Sequence, residues 1–241
     1  MQTQLKKAVS QISDKALRQR VVALLEDPSV EIGGKTYKGI PLGKSPAGLS
    51  HHHSYAGGLI EHIVSTTVIA LALCDTAETV YDARVDRDLV VAGAIVHDVF
   101  KSLTYIEREN GTYASSPLAE RLDHLTLGVA ELVRRGFPLD IVHIVDAHMG
   151  WQHGPIGPRT IEALIVHLAD MADSRLNGEV LRAAQYLLRE GAGVELSRMT
   201  AKEAFEVVAA KTQKGWKAVP QVLEKIRKRR KKQPLKAFIN S

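Results

Sequence analysis

The sequence predicts an all-α protein, and three observations support this prediction. Apolar residues recur in many separate segments at the three- and four-residue spacing of amphipathic helices. Aromatic residues make up only 5% of the 241 residues, so aliphatic side chains carry the apolar content, a balance that favours packed helices. Turn signals typical of small hairpins lie around Gly33-Gly34 and Asn110-Gly111. The predicted fold class is therefore all-helical, with at most two short β-hairpins.

The predicted helices follow the periodic segments along the chain. A first amphipathic helix covers residues 4–25, and a loop rich in glycine and proline follows over residues 27–50. Asp86 can cap a helix over residues 87–99. The other helices are predicted over residues 58–76, 117–135, 139–147, 160–177, 179–189, 201–212 and 219–231.

These segments divide the chain into three predicted regions. Residues 1–47 form an N-terminal helix and loop, residues 48–190 a central helical domain, and residues 191–241 a C-terminal helical extension with a basic tail. The net charge of +5 depends on this tail, because seven lysines and arginines lie between Lys225 and Lys232. A basic tail can bind nucleic acid through its phosphates. We favour the interpretation that the tail is the solvent-exposed end of a helix, because no aromatic residues lie among the basic ones for base stacking.

The composition predicts a cytoplasmic protein. The chain has no uninterrupted apolar run of about 18 residues, so we expect no membrane span. The residues after Met1 lack the long apolar segment of a secretory signal. Cys74 is the only cysteine, which excludes an internal disulfide and fits a reducing compartment. The sequence does not indicate an oligomeric state.

Ionisable residues interrupt three separate apolar segments. His97 and Asp98 end the apolar run over residues 89–96, His62 lies in another such segment, and Asp170 in a third. Each alone is more often a core or surface residue than a ligand. Burying such groups is costly unless something satisfies them, and a divalent metal does so through imidazole nitrogen and carboxylate oxygen. Because a helical bundle can bring three helices to one inner point, the set predicts a metal site.

The order of these residues resembles the HD superfamily of metal-dependent phosphohydrolases. The likeness extends to the sequences of residues 52–62, 92–98, 123–128 and 162–170, and covers roughly residues 48–176. It points to the branch that includes bacterial 3′-to-5′ exoribonucleases and an archaeal phosphodiesterase of 7,8-dihydroneopterin 2′,3′-cyclic phosphate. The resemblance implies an HD-domain helical bundle and an enzyme.

The resemblance also implies one metal site and the catalytic residues around it. The metal would be a divalent transition ion, Fe²⁺ or Mn²⁺ for preference, that makes hydroxide available from water. Asp98 would orient that water or act as general base, and Lys101 would contact a phosphate oxygen. The implied metal ligands are His62, His97, Asp98 and Asp170.

Further histidines are candidates for the surroundings of this site. His124 and His148 match the positions that hold a second metal in some HD proteins, with Asp98 as the bridge. That second site is weakened here because Met149, a poor ligand, follows His148 where relatives often have another histidine. His52 and His53 are candidates for substrate binding at the rim of the pocket.

We expect a phosphodiesterase that acts on a small cyclic phosphodiester, such as a pterin or nucleotide cyclic phosphate. One alternative is a 3′-to-5′ exoribonuclease or other RNA-processing phosphohydrolase, which the basic tail supports. However, the roughly fifty residues before the HD-like region are too few and too helical for a five-stranded oligonucleotide-binding barrel. Another alternative is a non-catalytic module that binds a nucleotide, but all four implied ligands are present.

Overall fold

The computed structural model describes residues 3–196 and 198–232, and it confirms the all-α fold. Helices dominate the chain, and each of the two small antiparallel sheets has two strands. The elements are α1 (Thr3–Val9), α2 (Lys15–Glu26), β1 (Val30–Ile32), β2 (Lys35–Tyr37), α3 (Gly58–Tyr81), α4 (Arg87–Val96), α5 (Lys101–Thr104), β3 (Tyr105–Glu107), β4 (Tyr113–Ser115), α6 (His124–Arg134), α7 (Leu139–Ala147), α8 (Gly150–His153), α9 (Ile161–Ala192), α10 (Ala201–Lys214) and α11 (Ala218–Lys232).

The chain separates into two compact units, Met1–Arg175 and Leu176–Ser241. The division falls within α9, before the boundary at residue 190 that the sequence suggested. The predicted boundaries at residues 47 and 190 therefore stay predictions. Each unit has a hydrophobic core of its own.

The first unit is built around α3 and α4, which pack against each other. α4 also packs on α7, and α7 on α6, while α1 and α2 lie against α4. α3 is long and apolar enough to cross a membrane by length and composition, yet half of its most apolar stretch is buried inside the protein. Burial of this kind is typical of the core helix of a helical bundle.

The predicted helix over residues 4–25 is two helices, because tertiary hydrogen bonds interrupt it. The backbone N–H groups of Ser13 and Asp14 each donate to the Asp88 carboxylate, at 2.7 Å. The Asp14 side chain in turn accepts from Ala16 and Leu17 at the start of α2. Asp14 is thus an N-cap that apolar periodicity alone does not reveal.

Both predicted hairpins are present and are tied to α5. Gly33 and Gly34 join β1 to β2 with φ angles of 59° and 75°, the left-handed conformation that two-residue hairpin turns require. The Ile40 N–H, just after β2, donates to the carbonyl of Ser102 in α5 at 2.9 Å. The Ser116 N–H, just after β4, donates to the carbonyl of Thr104 at 2.8 Å. The two hairpins therefore flank one short helix.

The largest other differences from the predicted helix boundaries concern α6 and α9. α6 begins at His124 and not at residue 117, because the Asp123 side chain caps it by accepting from the Thr126 N–H at 2.7 Å. The predicted helices over residues 160–177 and 179–189 are the single helix α9, which continues through Gly178. Asn177 is buried there, so packing overrides the low helix propensity of the Asn-Gly pair.

In the second unit, α10 and α11 pack together and share several ion pairs. Thr200 caps α10 in a reciprocal box with Glu203. Arg230 pairs with Glu203 and Arg229 with Glu206, each through two hydrogen bonds. Part of the basic tail therefore holds α11 to α10; the side chain of Lys232 and residues 233–241 lie outside the described part of the chain.

We expect Gly93→Ala to lower the free energy of unfolding by about 1–3 kcal/mol, because overpacking a core carries a cost of this size. A Cβ atom on Gly93 in α4 would lie 2.5 Å from Cγ2 of the buried Ile144 in α7. Urea unfolding followed by circular dichroism measures the change.

Gly128→Ala in α6 is the matched control. A Cβ atom there meets its nearest neighbour at 3.4 Å, an ordinary contact. Because alanine favours helix over glycine by up to about 1 kcal/mol, this variant should be as stable as the parent or more so. Equal losses in the two variants would contradict the close approach of α4 and α7.

Candidate metal centre

Five helices of the first unit deliver ionisable side chains to one buried region. Three groups of side chains that could hold a metal ion form there. Asp98 belongs to the two that contain the predicted ligands, and the third consists of His52, His53 and His62. Within each group the donor atoms lie within 4.8 Å of one another. The first group is His62, His97, Asp98 and Asp170, and the second is Asp98, His124 and His148.

The first group has the spacing expected of metal ligands. The Nε2 atom of His62 lies 3.2 Å from Nε2 of His97, 3.1 Å from Oδ2 of Asp98 and 3.2 Å from Oδ1 of Asp170. Metal–nitrogen bonds of about 2.1 Å place neighbouring ligand atoms roughly 3.0–3.4 Å apart. Because two imidazole nitrogens can share at most one proton between them, a cation between the four atoms explains the convergence better than direct hydrogen bonds alone.

The histidine tautomers also suit a metal. Nδ1–H of His97 donates to the Ala94 carbonyl at 2.8 Å. Nδ1–H of His62 donates to Oδ2 of Asp173 at 2.7 Å. With Nδ1 donating outward, Nε2 of each ring points into the group, where a bound metal would take the place of a second proton. A carboxylate behind a ligating imidazole is the usual supporting partner in metal sites.

The charges of the group favour a bound cation. Burial opposes a charge on His62, but hydrogen bonds to Asp170, Asp173 and Asp98 prevail and raise the pKa of His62 well above its ordinary value. Burial likewise opposes the charge on Asp98, yet Lys101 and His97 hold the pKa of Asp98 well below its usual range. Carboxylates that stay ionised while buried leave negative charge to be neutralised, and a divalent ion does this at the four converging atoms.

Lys101 lies at the edge of the same group. It begins α5, and its Nζ is 2.6 Å from Oδ2 of Asp98. Burial alone would lower the pKa of Lys101, but the nearby charges of Asp98 and Asp170 raise it. The side chain therefore carries a fixed positive charge beside the predicted ligands, as an interaction with a phosphate requires.

The second group has unsatisfied nitrogens. Nε2 of His124 and Nε2 of His148 lie 3.4 Å and 3.6 Å from Oδ1 of Asp98. Both nitrogens are buried and have no hydrogen-bond partner among the residues that the structure describes. Nδ1–H of His148 donates to the Val145 carbonyl, so its Nε2 faces Asp98. Burial opposes a charge on His148, but the Asp98 carboxylate raises the pKa of His148 above its ordinary value. Burial lowers the pKa of His124 to about 4, which leaves that ring neutral and able to ligate.

His52 and His53 lie beside the first group but occupy different environments. The His52 ring centroid is 5.2 Å from that of His62. Burial lowers the pKa of His52 to about 3, so its ring is neutral, and its buried Nδ1 lacks a hydrogen-bond partner within the described residues. His53 instead contacts Asp173, Nε2 to Oδ2 at 2.9 Å. A side chain on Gly58 would overlap the His53 carbonyl, so glycine lets the histidine segment lie against the start of α3.

A chain of polar contacts behind the ligands was not predicted. From His53 it continues to the Tyr55 hydroxyl at 2.9 Å, and that hydroxyl donates to Oε2 of Glu61 at 2.9 Å. Together with Asp173, these residues connect the back of His62 to the protein surface. Asp173 carries a sequence signal, since it follows Asp170 by one helical turn. Tyr55 and Glu61 carry none, because their roles depend on the path of the loop before α3.

Comparison with known proteins identifies the family. The model of the HD domain family matches residues 59–174. The chain is 44% identical over 184 residues to the dihydroneopterin 2′,3′-cyclic phosphate phosphodiesterase of Methanocaldococcus jannaschii, covering 76% of this chain and 73% of that protein. It is 31% identical over 145 residues to the 3′-5′ exoribonuclease YhaM of Bacillus subtilis, covering 55% of this chain and 43% of the exoribonuclease. No solved structure matches.

The helical bundle and its histidine-aspartate centre are those of a metal-dependent phosphohydrolase. The chain belongs to the HD domain family. The predicted family and enzyme class are confirmed, whereas the role of each residue at the centre remains a prediction.

We expect Asp173→Asn to weaken binding of Mn²⁺ by about 10- to 100-fold, the usual effect of losing a carboxylate that orients a ligating histidine. The amide cannot hold the His62 Nδ1–H as strongly as the carboxylate that now lies 2.7 Å away. Competition with a metal-sensitive dye measures the affinity. Asp140→Asn, the same change at an exposed aspartate in α7, is the control. Equal affinities in the two variants would show that Asp173 does not orient the ligand.

Proposed function

We propose that this protein is a cytoplasmic phosphodiesterase that hydrolyses a small cyclic phosphodiester, such as a pterin or nucleotide cyclic phosphate. The observation that carries the proposal is the convergence of His62, His97, Asp98 and Asp170, with Lys101 beside them. The relative from Methanocaldococcus jannaschii, named for such a reaction and aligned over most of both chains, supports the choice of substrate class.

The residues present fit a divalent metal, which when bound would make hydroxide available near neutral pH and polarise a phosphoryl oxygen. His62, His97, Asp98 and Asp170 would hold it. Their nitrogen and oxygen atoms suit several transition ions, among which we propose Fe²⁺ or Mn²⁺. A second ion at Asp98, His124 and His148 is part of the proposal.

The remaining chemistry is assigned to side chains of this chain. Asp98 stays ionised, so it can orient the attacking water or accept its proton as a phosphorus–oxygen bond forms and the ester bond to the leaving oxygen breaks. Lys101 offers a fixed positive charge to the phosphoryl oxygens, whose negative charge grows during the attack. The neutral ring of His52 has a free buried nitrogen with which to bind a substrate oxygen.

RNA is a less favoured substrate. Arg229 and Arg230 of the basic tail are engaged by Glu206 and Glu203, and Arg227 pairs with Glu224. These pairs reduce the charge that the tail presents to a phosphate backbone. The match to the exoribonuclease also covers less than half of that protein. A non-catalytic role for the chain is disfavoured because the full predicted ligand set is brought together.

We expect Asp98→Asn to abolish hydrolysis of bis-p-nitrophenyl phosphate in the presence of Mn²⁺, because the amide cannot serve as an anionic ligand or accept a proton. The substitution preserves size at a fully buried position, so the helical circular dichroism should stay close to that of the parent. A chelator should abolish turnover by the parent protein, and added Mn²⁺ should restore it. Turnover by Asp98→Asn at the parental rate would refute the assigned role.

Metal stoichiometry tests the second site. We expect the protein to bind one Mn²⁺ tightly and a second weakly, and His124→Gln to remove only the weak ion, because His124 belongs to the second group alone. Equilibrium dialysis with elemental analysis gives the number bound. His143→Gln is the control, since His143 lies in neither group and instead accepts the Arg159 N–H. An unchanged weak site in His124→Gln would remove His124 from the ligand set.

A further inference from the structure

A cavity of about 730 Å³ lies between the two hairpins of the first unit. β1 and β2 contribute Ile32, Lys35 and Tyr37 to its lining, and β3 contributes Tyr105 and Ile106. Its remaining wall includes the segment from Pro117 to Leu122. The volume is within the range of small-molecule binding sites, which is about 300–1,000 Å³.

Two walls of the cavity are joined by short stretches of chain to residues that lie at the predicted metal centre. One wall continues from α5, whose first residue is Lys101 and which leads directly into Tyr105. The other wall ends at Leu122, two residues before His124. Burial raises the pKa of the Tyr105 hydroxyl, and the charges of Lys101 and Asp98 both act on it, so the hydroxyl lies within electrostatic reach of the centre.

The walls are held in place without a ligand. The Ile40 N–H bonds to Ser102 and the Ser116 N–H to Thr104, so both hairpins are fixed to α5. A side chain on Gly39 would overlap the backbone of Ser102, so the segment after β2 lies directly on α5. A cavity formed in advance binds without the cost of ordering its walls.

The lining offers flat aromatic and apolar surface. Tyr37 and Tyr105 are half-buried, while Ile32 and Ile106 are 38% and 44% exposed, although both isoleucines belong to strands of small sheets. Exposed apolar side chains gathered around one cavity are typical of a ligand site. Tyrosine rings bind flat heterocycles by stacking, and apolar side chains cover the rest of the ring.

The rim of the cavity is positively charged. Lys35, Lys38 and Arg121 lie there with a single acidic residue, Glu107. Within residues 3–196 and 198–232, none of the three cations has a carboxylate partner within 4.0 Å. The Lys35 ammonium instead lies over the Tyr37 ring, 5.0 Å from its centroid, so a ligand that stacks on that face displaces the lysine. Cations without a carboxylate partner around a cavity attract anionic ligands and raise their local concentration.

We infer that this cavity binds the aromatic heterocycle of the substrate while the phosphodiester lies at the metal centre. The inference rests on the proposed function and adds where the nucleoside-like or pterin-like ring of the substrate is held. Tyr37 and Tyr105 contact the ring, and the rim cations draw the anionic substrate toward the centre. A cyclic phosphate without a ring keeps its contacts with the centre but loses those in the cavity.

Two substrates that differ only in the ring test the inference. Guanosine 2′,3′-cyclic phosphate carries the ring, and 1-O-methylribose 2′,3′-cyclic phosphate does not. We expect Tyr37→Leu to raise KM for the guanosine substrate about 10-fold, the usual order of effect for losing a base-stacking aromatic residue. The kinetic constants for the methylribose substrate should not change. Tyr37→Phe, which keeps the ring, and Tyr81→Leu, which alters a tyrosine exposed outside the cavity, should behave as the parent protein.

A second variant covers the case in which Tyr37→Leu unfolds. Arg121→Glu alters an exposed side chain at the rim, so the fold should be preserved. It should raise KM for the guanosine substrate and reduce the dependence of kcat/KM on salt. Unchanged KM in Tyr37→Leu and Arg121→Glu, with both proteins folded by circular dichroism, would overturn the inference.

The outcomes separate this inference from the proposed function. If the parent protein hydrolyses neither substrate with Mn²⁺ or Fe²⁺, the proposed function fails. Titration calorimetry of the Mn²⁺-loaded protein with guanosine 2′,3′-cyclic phosphate still tests the cavity in that case. Binding that Tyr37→Leu weakens supports a heterocycle site, whereas equal binding to both proteins, or no binding to either, overturns it.

Discussion

The structure of the first unit depends on one buried carboxylate, that of Asp98. Its Oδ2 atom faces Lys101 and His62, and its Oδ1 atom faces His124 and His148. An ionised carboxylate without such partners would lose several kcal/mol on burial. The side chains that stabilise it come from separate helices, so the bundle must bring those helices to one point. The negative charge of Asp98 must be neutralised, and the helices that pack together supply the side chains that neutralise it. The same side chains form the predicted metal centre.

Close packing of α4 on α7 sets the distance between Asp98 and His148. A Cβ atom on Gly93 would lie 2.5 Å from Cγ2 of Ile144, and these residues precede Asp98 and His148 by about one helical turn each. A larger residue at position 93 would push α7 outward and move His148 away from the carboxylate. The glycine costs some helix propensity, yet it allows the two helices to approach and their ends to share one site.

The sequence predicted which ionisable residues converge better than it predicted the helix ends. His62, His97, Asp98 and Asp170 could be found because each interrupts an apolar helical pattern, and a pattern is visible within a short stretch of sequence. The break before α2 could not, because it depends on the Asp88 carboxylate, which is distant along the chain. The link from His53 through Tyr55 to Glu61 also depends on loop geometry that periodicity does not encode. Interactions between distant residues account for what was missed.

In the proposed arrangement, the metal centre determines which bond is cleaved, and the cavity between the hairpins determines which substrate binds. The HD family match covers residues 59–174, which contain the predicted ligands, whereas β1 and β2 lie before it. Helices that converge on a buried carboxylate can change little without losing the centre, but exposed hairpins tolerate changes in length and composition. A hairpin outside the matched region can therefore alter which organic group lies beside the phosphate while the centre stays the same. One bundle can in this way serve different phosphodiesters, and specificity then depends on the strands attached to its edge.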